Sequence, residues 1–181
     1  MKHIPSCVSA VLKILVMTEL RILAMFKWLS LSLVIILFDQ VTKYFASHAL
    51  LMYQPISIIP GFNLTLMHNT GAAFSFLSQA GGWQRWFFIG IASVVSIVII
   101  VWMNGLPKNK RWLLTALALI LGGAIGNVCD RIILGYVIDF IEVYYEDMFW
   151  PAFNIADSAI TIGAIMLIID SLFLKEAEIE N

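Results

Sequence analysis

Long apolar stretches alternate with polar segments along the chain, and four of the stretches approach the roughly 20 residues that a transmembrane helix needs. They cover residues 28–45, 86–102, 112–129 and 153–174. Tryptophans flank the second stretch and begin the third, which is where aromatic rings settle at a membrane–water interface. The pattern predicts an α-helical membrane protein with four transmembrane helices.

The segment between the first two stretches has a different pattern. Apolar side chains alternate with polar or small ones on both sides of Pro60–Gly61, at positions 56, 58, 62, 64 and 66. This alternation predicts two short strands joined by a turn. We expect the strands at the membrane surface, because an open sheet edge within hydrocarbon would leave backbone groups without hydrogen bonds.

Residues 1–27 are apolar but are interrupted by Lys13, Glu19 and Arg21. Lys13 also breaks the continuous apolar centre that a signal peptide requires. We interpret this segment as a cytoplasmic N-terminal extension, either an amphipathic helix or residues upstream of a natural start at Met25. The alternative is a fifth span, which would invert the topology.

The composition supports bilayer as the solvent of this chain. Of the 181 residues, 61% are hydrophobic and 13% are charged, with a mean hydropathy of +0.91. Soluble domains average about 45–50% apolar and about 25% charged residues. A net charge of −1 provides no basic face for nucleic acid. Cys7 and Cys129 lack metal-ligand spacing and the three histidines are scattered, so we expect neither a disulfide framework nor a metal site.

Lysine and arginine positions predict the orientation. Eight of the eleven basic residues precede the first span, lie between the second and third, or follow the fourth. These are Lys2, Lys13, Arg21, Lys27, Lys108, Lys110, Arg111 and Lys175. Because cytoplasmic loops carry the excess of positive residues, both termini are predicted to be cytoplasmic and both long loops to face outward. Residues 28–174 then form the four-span domain, and 175–181 form a short acidic cytoplasmic tail.

Polar side chains gather near the predicted outer ends of three spans. Ionisable groups within membrane spans are rare, and they are candidates for function. The group comprises Asp39, Gln40 and Lys43 in the first span, Asn127, Asp130 and Arg131 in the third, Asp139 in the following loop, and Asn154 and Asp157 in the fourth. Their shared depth predicts one polar site near the outer interface.

Several of these residues also have a purely structural interpretation. Asp39 and Lys43 are four residues apart on one helix face, so they can pair with each other. Arg131 could extend to the lipid headgroups, or it could act with Asn127 to bind a carbonyl or phosphate oxygen. The spacing leaves both interpretations open.

Asp139 and Asp157 differ from the other candidates because neither has a cation nearby in the sequence. Asp139 stands among apolar residues in VIDFI, with no basic residue within seven positions. Asp157 precedes a long uncharged run, although it could simply favour the positive end of a helix dipole, and Asn154 is an equally good N-cap. Spacing does not tell whether the two carboxylates meet. Three further acidic residues are predicted to lie solvated in a polar loop, namely Glu142, Glu146 and Asp147.

Five motifs resemble, in the same order, those of the lipoprotein signal peptidases, also called signal peptidase II. The resemblance covers about residues 28–172. The motifs are FDQVTK (38–43), HNTGAAFSFL (68–77), GGAIGNVCDR (122–131), VIDFI (137–141) and FNIADSAI (153–160).

This resemblance implies an aspartic protease of the bacterial inner membrane that removes the signal peptide from prolipoproteins, just before a diacylglyceryl-modified cysteine. It implies that Asp139 and Asp157 are catalytic. It also implies four membrane helices with a small extracytoplasmic β-cradle, a mobile loop over the site, and no cofactor. Prolipoproteins and membrane lipid are the expected partners of a monomeric enzyme. The residues that shape the site or bind substrate would be Asp39, Lys43, Asn69, Gly71, Asn127, Asp130, Arg131 and Asn154.

Three other classes of protein are compatible with parts of the pattern. A proton- or ion-coupled transporter also uses intramembrane carboxylates, but its site usually lies near the midplane between internal repeats, and this chain has no repeat. A serine–lysine protease could use Lys43 and Ser47, which are four residues apart, but it leaves Asp139 and Asp157 unexplained. An inactive membrane scaffold makes no use of the polar cluster.

Overall fold

The structure is a computed structural model that describes residues 6–71 and 82–174 of the chain, with side-chain environments from residue 25 to residue 173. Within this part, four helices are long and apolar enough to cross a membrane: Met25–Ala49, Trp83–Gly105, Arg111–Ile133 and Ile155–Phe173. The four predicted spans are confirmed; the first three extend a few residues beyond the predicted bounds, and the fourth is slightly shorter than predicted.

The first span belongs to a longer helix, α1, over Ser6–Ala49. Residues 6–27 therefore continue the first span as helix, and their cytoplasmic placement stays a prediction. The other helices are α2 (Trp83–Gly105), α3 (Arg111–Ile133) and α4 (Ile155–Ile169), which ends in a π-helical turn over Asp170–Leu174. The predicted acidic tail and residues 72–77 of the second motif lie outside the described residues.

Helix α3 occupies the centre of the bundle. It packs against α1, α2 and α4, and 61% of its span is buried, compared with 11–17% for the other spans. Glycines allow the close approach: a Cβ on Gly122 would lie 2.8 Å from the carbonyl oxygen of Ser32, and one on Gly126 would lie 2.8 Å from Oδ2 of Asp39. The outer helices therefore present most of their apolar residues to lipid, while α3 holds its polar end in the interior.

Four antiparallel strands form a sheet with the order β1-β2-β3-β4. They are β1 (Ile56–Ile59), β2 (Phe62–Asn69), β3 (Val137–Tyr145) and β4 (Met148–Phe149). The predicted hairpin is confirmed, and Gly61 in its turn has a φ of +87°, a conformation that glycine adopts without strain. Strand β3 was not predicted, because its first four residues are all buried and show no alternation.

The prediction that Glu142 is solvated is wrong. Its exposed fraction is 7%, and its Oε2 accepts hydrogen bonds from Nδ2 of Asn63 and from Oγ1 of Thr65, each at 3.0 Å. Both partners, Asn63 and Thr65, lie on β2, nearly 80 residues earlier in the chain, and meet Glu142 on the buried side of the sheet. Glu146 and Asp147 form the turn between β3 and β4 and are exposed, as predicted.

Candidate active site

One hydrogen-bonded network contains all ten residues that the sequence predicts for the site. It joins the C-terminal part of α1, the end of α3, the end of β2, the start of β3 and the start of α4. The ten are Asp39, Lys43, Asn69, Gly71, Asn127, Asp130, Arg131, Asp139, Asn154 and Asp157. The predicted convergence of these residues is therefore confirmed, although contact does not by itself assign their roles.

The carboxylate of Asp157 is held by the N-terminus of α4. Asn154 caps this helix: its Oδ1 accepts from the backbone N–H of Asp157 at 2.9 Å. In return, Oδ2 of Asp157 accepts from the backbone N–H of Asn154 at 3.3 Å, which completes a capping box. The sequence left Asp157 and Asn154 as alternatives at the start of this helix, and in the structure both side chains belong to the cap.

Side-chain amides connect the two isolated carboxylates. Nδ2 of Asn154 donates to Oδ1 of Asp139 at 2.7 Å, and Nδ2 of Asn127 donates to Oδ1 of Asp157 at 2.7 Å. The two amides also meet, since Nδ2 of Asn154 lies 3.3 Å from Oδ1 of Asn127. Asp139 and Asp157 are thus joined through two asparagines.

The orientation of each amide follows from the partner of its oxygen. Oδ1 of Asn127 accepts from Nζ of Lys43 at 3.0 Å, so its Nδ2 must face Asp157. Oδ1 of Asn69 accepts from the backbone N–H of Gly71 at 2.8 Å, and its Nδ2 donates to Oδ2 of Asp139 at 2.9 Å. Both carboxylates therefore receive fixed N–H donors.

A buried ion cluster braces the elements that carry the carboxylates. Nζ of Lys43 lies 2.7 Å from Oδ2 of Asp39 and 2.8 Å from Oδ2 of Asp130. The predicted pairing of Asp39 with Lys43 is confirmed, and Asp130 joins it. Oδ1 of Asp39 accepts from the backbone N–H of Ala156 at 2.9 Å, and Oδ2 of Asp130 accepts from that of Ile138 at 3.2 Å. The cluster thereby fixes the starts of α4 and β3.

The contacts of Ser47 argue against a serine–lysine site. Its Oγ donates to the backbone carbonyl of Lys43 at 2.8 Å, within the same helix. The ammonium group of Lys43 instead contacts Asp39, Asp130 and Asn127. It is not directed at the Ser47 hydroxyl as a general base would be.

Arg131 joins the network at its edge, and its buried Nε–H has no partner there. Its Nη1 donates to the backbone carbonyl of Asn127 at 3.3 Å, and its guanidinium carbon lies 5.1 Å from the centre of the Phe88 ring. Its Nε is buried without a hydrogen-bond partner among the described residues. Gly71 touches the same ring: its φ is +109°, and a Cβ there would lie 2.5 Å from Phe88 Cε2. Only glycine fits this position without displacing the ring.

Burial and a like charge raise the pKa of Asp139 from 3.8 to about 7. Desolvation is the larger cause, and the negative charge of Asp157 is the second; the amide N–H groups of Asn69 and Asn154 oppose the shift. A pKa perturbed by burial plus a specific charged partner is characteristic of catalytic carboxyl groups. His68, in the strand beside Asn69, stacks on Tyr136 at 3.9 Å between ring centres, and burial lowers its pKa.

A cavity of about 770 Å³ opens beside Asp157 and beside Asn69, the amide that donates to Asp139. It is lined by Asp157 and Asn69, by the segment 150–153, and by one face of α4 that contains Ser158, Thr161 and Ile162. Ser158 and Thr161 were not predicted from the sequence, although Thr161 lies four residues after Asp157 and three after Ser158, spacings that place it beside both on the helix surface. The volume is typical of sites that enclose a ligand of moderate size.

The donor set at the site consists of carboxylates bound to an ammonium group and to amides. Among the side chains described, those of residues 25–71 and 82–173, no three from His, Cys, Asp or Glu are grouped so that they could hold a metal ion. Four apolar helices with paired carboxylates at one end define a multi-pass membrane protein equipped for acid–base chemistry.

Comparison with known proteins gives the particular family. Residues 31–173 match the family model described as signal peptidase (SPase) II. A lipoprotein signal peptidase of Acinetobacter baylyi is 56% identical over 154 residues, which cover 85% of this chain and 86% of that protein. One of Teredinibacter turnerae is 56% identical over 157 residues, covering 87% and 94% respectively. The chain belongs to the signal peptidase II family, whose members are aspartic peptidases that remove signal peptides from prolipoproteins.

Solved structures agree with this assignment. A bacterial membrane enzyme determined by the in meso method at 2.3 Å resolution superposes with a TM-score of 0.73 and 32% identity, covering 86% of this chain and 92% of that one. The predicted fold class and enzyme class are confirmed. The transporter and scaffold alternatives do not agree with membership of a peptidase family.

Proposed function

We propose that Asp139 and Asp157 are the catalytic pair of this peptidase, and that it cleaves just before a cysteine carrying diacylglycerol. The observation that carries the proposal is the junction of the two carboxylates through Asn154 and Asn127, with Asp157 lining a cavity of about 770 Å³. Among the described residues, Asp157 is the carboxylate that lines the cavity, and Asn69, which donates to Asp139, lines it as well.

The chemistry follows from one proton shared by two carboxyl groups. Adjacent carboxyl groups in a poorly solvated site cannot both ionise, and the raised pKa of Asp139 agrees with a proton retained near neutral pH. The ionised carboxylate takes a proton from water as the water oxygen attacks the scissile carbonyl carbon. The protonated carboxyl donates its proton to the carbonyl oxygen. The C–N bond of the tetrahedral gem-diol then breaks: one hydroxyl returns its proton to the pair, and the leaving amine receives a proton from the pair.

The surrounding residues have separate supporting roles. Asn154, Asn127 and Asn69 hold the carboxylates in fixed orientations through their N–H groups. The free Nε–H of Arg131 is available to a substrate backbone or headgroup oxygen. Asp39, Lys43 and Asp130 brace the elements beneath, and Gly71 leaves room for Phe88. The two carboxyl groups titrate as a unit, so neither catalytic role belongs permanently to one residue.

The orientation of the enzyme in the membrane is the second part of the proposal. Both termini lie in the cytoplasm, and the site lies near the periplasmic face of the bacterial inner membrane. Three basic residues fall at the outer ends of the spans, and contacts within the protein account for them. Lys43 pairs with Asp39 and Asp130, Arg131 donates to Asn127, and Nη2 of Arg85 donates to the carbonyl of Ile132 at 2.8 Å.

Lipid supplies part of the positioning. The acyl chains of the modified cysteine remain in the bilayer and hold the scissile bond at one depth, which lowers the entropic cost of bringing it to the carboxylates. All ten network residues come from a single chain, and we therefore propose that the enzyme acts as a monomer.

The test compares single variants on lipidated precursor. Asp139→Asn and Asp157→Asn should each insert in the membrane but lose cleavage of a diacylglyceryl-modified prolipoprotein, measured by product mass. Asp170→Asn is the matched control, because it changes the same residue type about 20 Å further along the same helical rod. An unlipidated precursor should remain uncut by the wild type. Normal turnover by either site variant would remove the pair from consideration.

A further inference from the structure

Three buried polar side chains on β2 and β3 take no part in the mechanism described above. Oε2 of Glu142 accepts from Nδ2 of Asn63 and from Oγ1 of Thr65, each at 3.0 Å. Their exposed fractions are 7%, 7% and 2% respectively. Glu142 lies on β3, three residues after Asp139, so the contact joins β2 directly to the strand that carries a proposed catalytic carboxylate.

The pairing of β2 with β3 shifts next to this contact. On one side Asn63 pairs with Glu142, and on the other side Met67 pairs with Asp139. Between these pairs β2 has one more residue than β3, which is a β-bulge. Thr65 lies in the bulged segment.

The bulge decides which face of the sheet Asn69 occupies. Side chains alternate between the two faces along a strand. Without the extra residue, Asn69 would share the face of Asn63 and Glu142, and it would point away from Asp139. With the bulge, Asn69 pairs with Val137, on the face of Asp139, and its Nδ2 reaches Oδ2 of Asp139 at 2.9 Å.

Glu142 holds the bulge in place because its carboxylate binds both Asn63, which precedes the bulge, and Thr65, which lies within it. A slip of one position would separate Glu142 from Asn63 and Thr65, and it would leave a carboxylate, an amide and a hydroxyl buried without partners. Unsatisfied buried polar groups are costly, particularly when one of them is charged. The register of β2 and β3 that is shifted by one residue is therefore disfavoured.

We propose that Glu142 is a positioning residue: with Thr65 and Asn63 it locks the bulge that sets Asn69 against Asp139. This inference rests on the catalytic role proposed for Asp139. Glu142 acts through Asn69 and does not touch the substrate.

The test uses Glu142→Ala, Thr65→Val, Glu142→Gln and Asn69→Ala, with Asp147→Ala as the matched control. Asp147 is an acidic residue of the same β3–β4 hairpin, but it is exposed. Steady-state cleavage of a lipidated precursor is measured across pH for each folded, membrane-inserted variant. We expect kcat of Glu142→Ala to fall roughly ten- to hundredfold, as for a displaced catalytic group, with KM unchanged. Glu142→Gln should recover most of the rate, because an amide oxygen can accept the same two hydrogen bonds.

Two readouts separate positioning from mere stabilisation. Loss of the Asn69 donor should shift the acid limb of the kcat profile of Glu142→Ala to higher pH, as in Asn69→Ala. The double variant that combines Glu142→Ala with Asn69→Ala should be no slower than Asn69→Ala alone, because the two changes remove the same contact. An unshifted profile, or losses that multiply, would overturn the proposal.

Two further outcomes bear on the test: a Glu142→Ala variant that does not fold, and a failure of the proposed function itself. If Glu142→Ala does not fold, Thr65→Val decides: a shifted profile supports the lock, and a wild-type profile overturns it. Cleavage by the wild type and by Asp147→Ala, with loss of cleavage in Asp139→Asn, shows that the proposed function stands whatever happens at Glu142, whereas normal cleavage by Asp139→Asn would count against that function itself.

Discussion

Lys43→Met offers the most informative perturbation of the buried ion cluster. The ammonium group lies 2.7 Å from Asp39, 2.8 Å from Asp130 and 3.0 Å from Oδ1 of Asn127. Methionine has a similar length but donates no hydrogen bond, so two carboxylates with exposed fractions of 0% and 2% lose their cation. Removing one partner of a buried ion pair typically costs about 3–5 kcal/mol. That cost lowers the folding equilibrium constant by more than about 100-fold.

The cleavage activity of Lys43→Met should fall by more than its loss of stability explains. Without Lys43, the amide of Asn127 loses the donor that fixes its orientation, and its Nδ2 no longer has to face Asp157. We expect cleavage to be lost even at temperatures where the variant remains folded. Thermal unfolding in detergent and cleavage of lipidated precursor would be measured on the same preparation, with Lys108→Met, at an exposed position between α2 and α3, as the control.

A double variant tests the physical reason. Lys43→Met combined with Asp130→Asn leaves one unpaired buried carboxylate instead of two, so it should be more stable than Lys43→Met alone. If Lys43→Met costs no more stability than Lys108→Met, or if the added Asp130→Asn lowers stability further, the cluster does not brace the site as described.

Three more predictions concern the site. Gly71→Ala should reduce cleavage strongly, because its backbone has a φ of +109° and the added Cβ would meet Phe88; Gly105→Ala, which has open space around its Cβ, is the control in the same assay. Ser47→Ala should cleave at the wild-type rate, since its hydroxyl bonds only within α1, and loss of activity would revive the serine alternative. Because the pKa of Asp139 rises from 3.8 to about 7 on folding, the native state binds more protons in this interval, and stability should fall as pH rises from about 4 to 7. Thermal unfolding across pH should show a shallower fall for Asp139→Asn, and an identical slope would contradict the shifted pKa.

The parts of the fold that follow local periodicity could be predicted from the sequence. The spans follow from the lengths of the apolar stretches, and the β1–β2 hairpin follows from alternation around Pro60–Gly61. Strand β3 could not be predicted in this way, because its first residues are buried on both faces and its apolar positions do not alternate. The burial of Glu142 could not be predicted either, because its partners lie on β2 and the sequence next to Glu142 gives no sign of them.

The site was predictable as a set of residues but not as a geometry. Shared depth in the membrane indicated that the polar residues would meet, and the motifs named the same residues. Spacing could suggest the bond from Lys43 to Asp39, four residues away in one helix. It could not suggest the bonds from Asn127 to Asp157 or from Asn69 to Asp139, because these depend on how α3 packs on α4 and on a bulge in β2.

The most direct test of the central claim is the rate of cleavage of a diacylglyceryl-modified precursor by Asp139→Asn, Asp157→Asn and the double variant, measured side by side. If the two carboxyl groups act as one unit, each single change removes cleavage and the double variant is no slower than either. Wild-type cleavage by either single variant, or a double variant whose loss is the product of two partial losses, would contradict the claim.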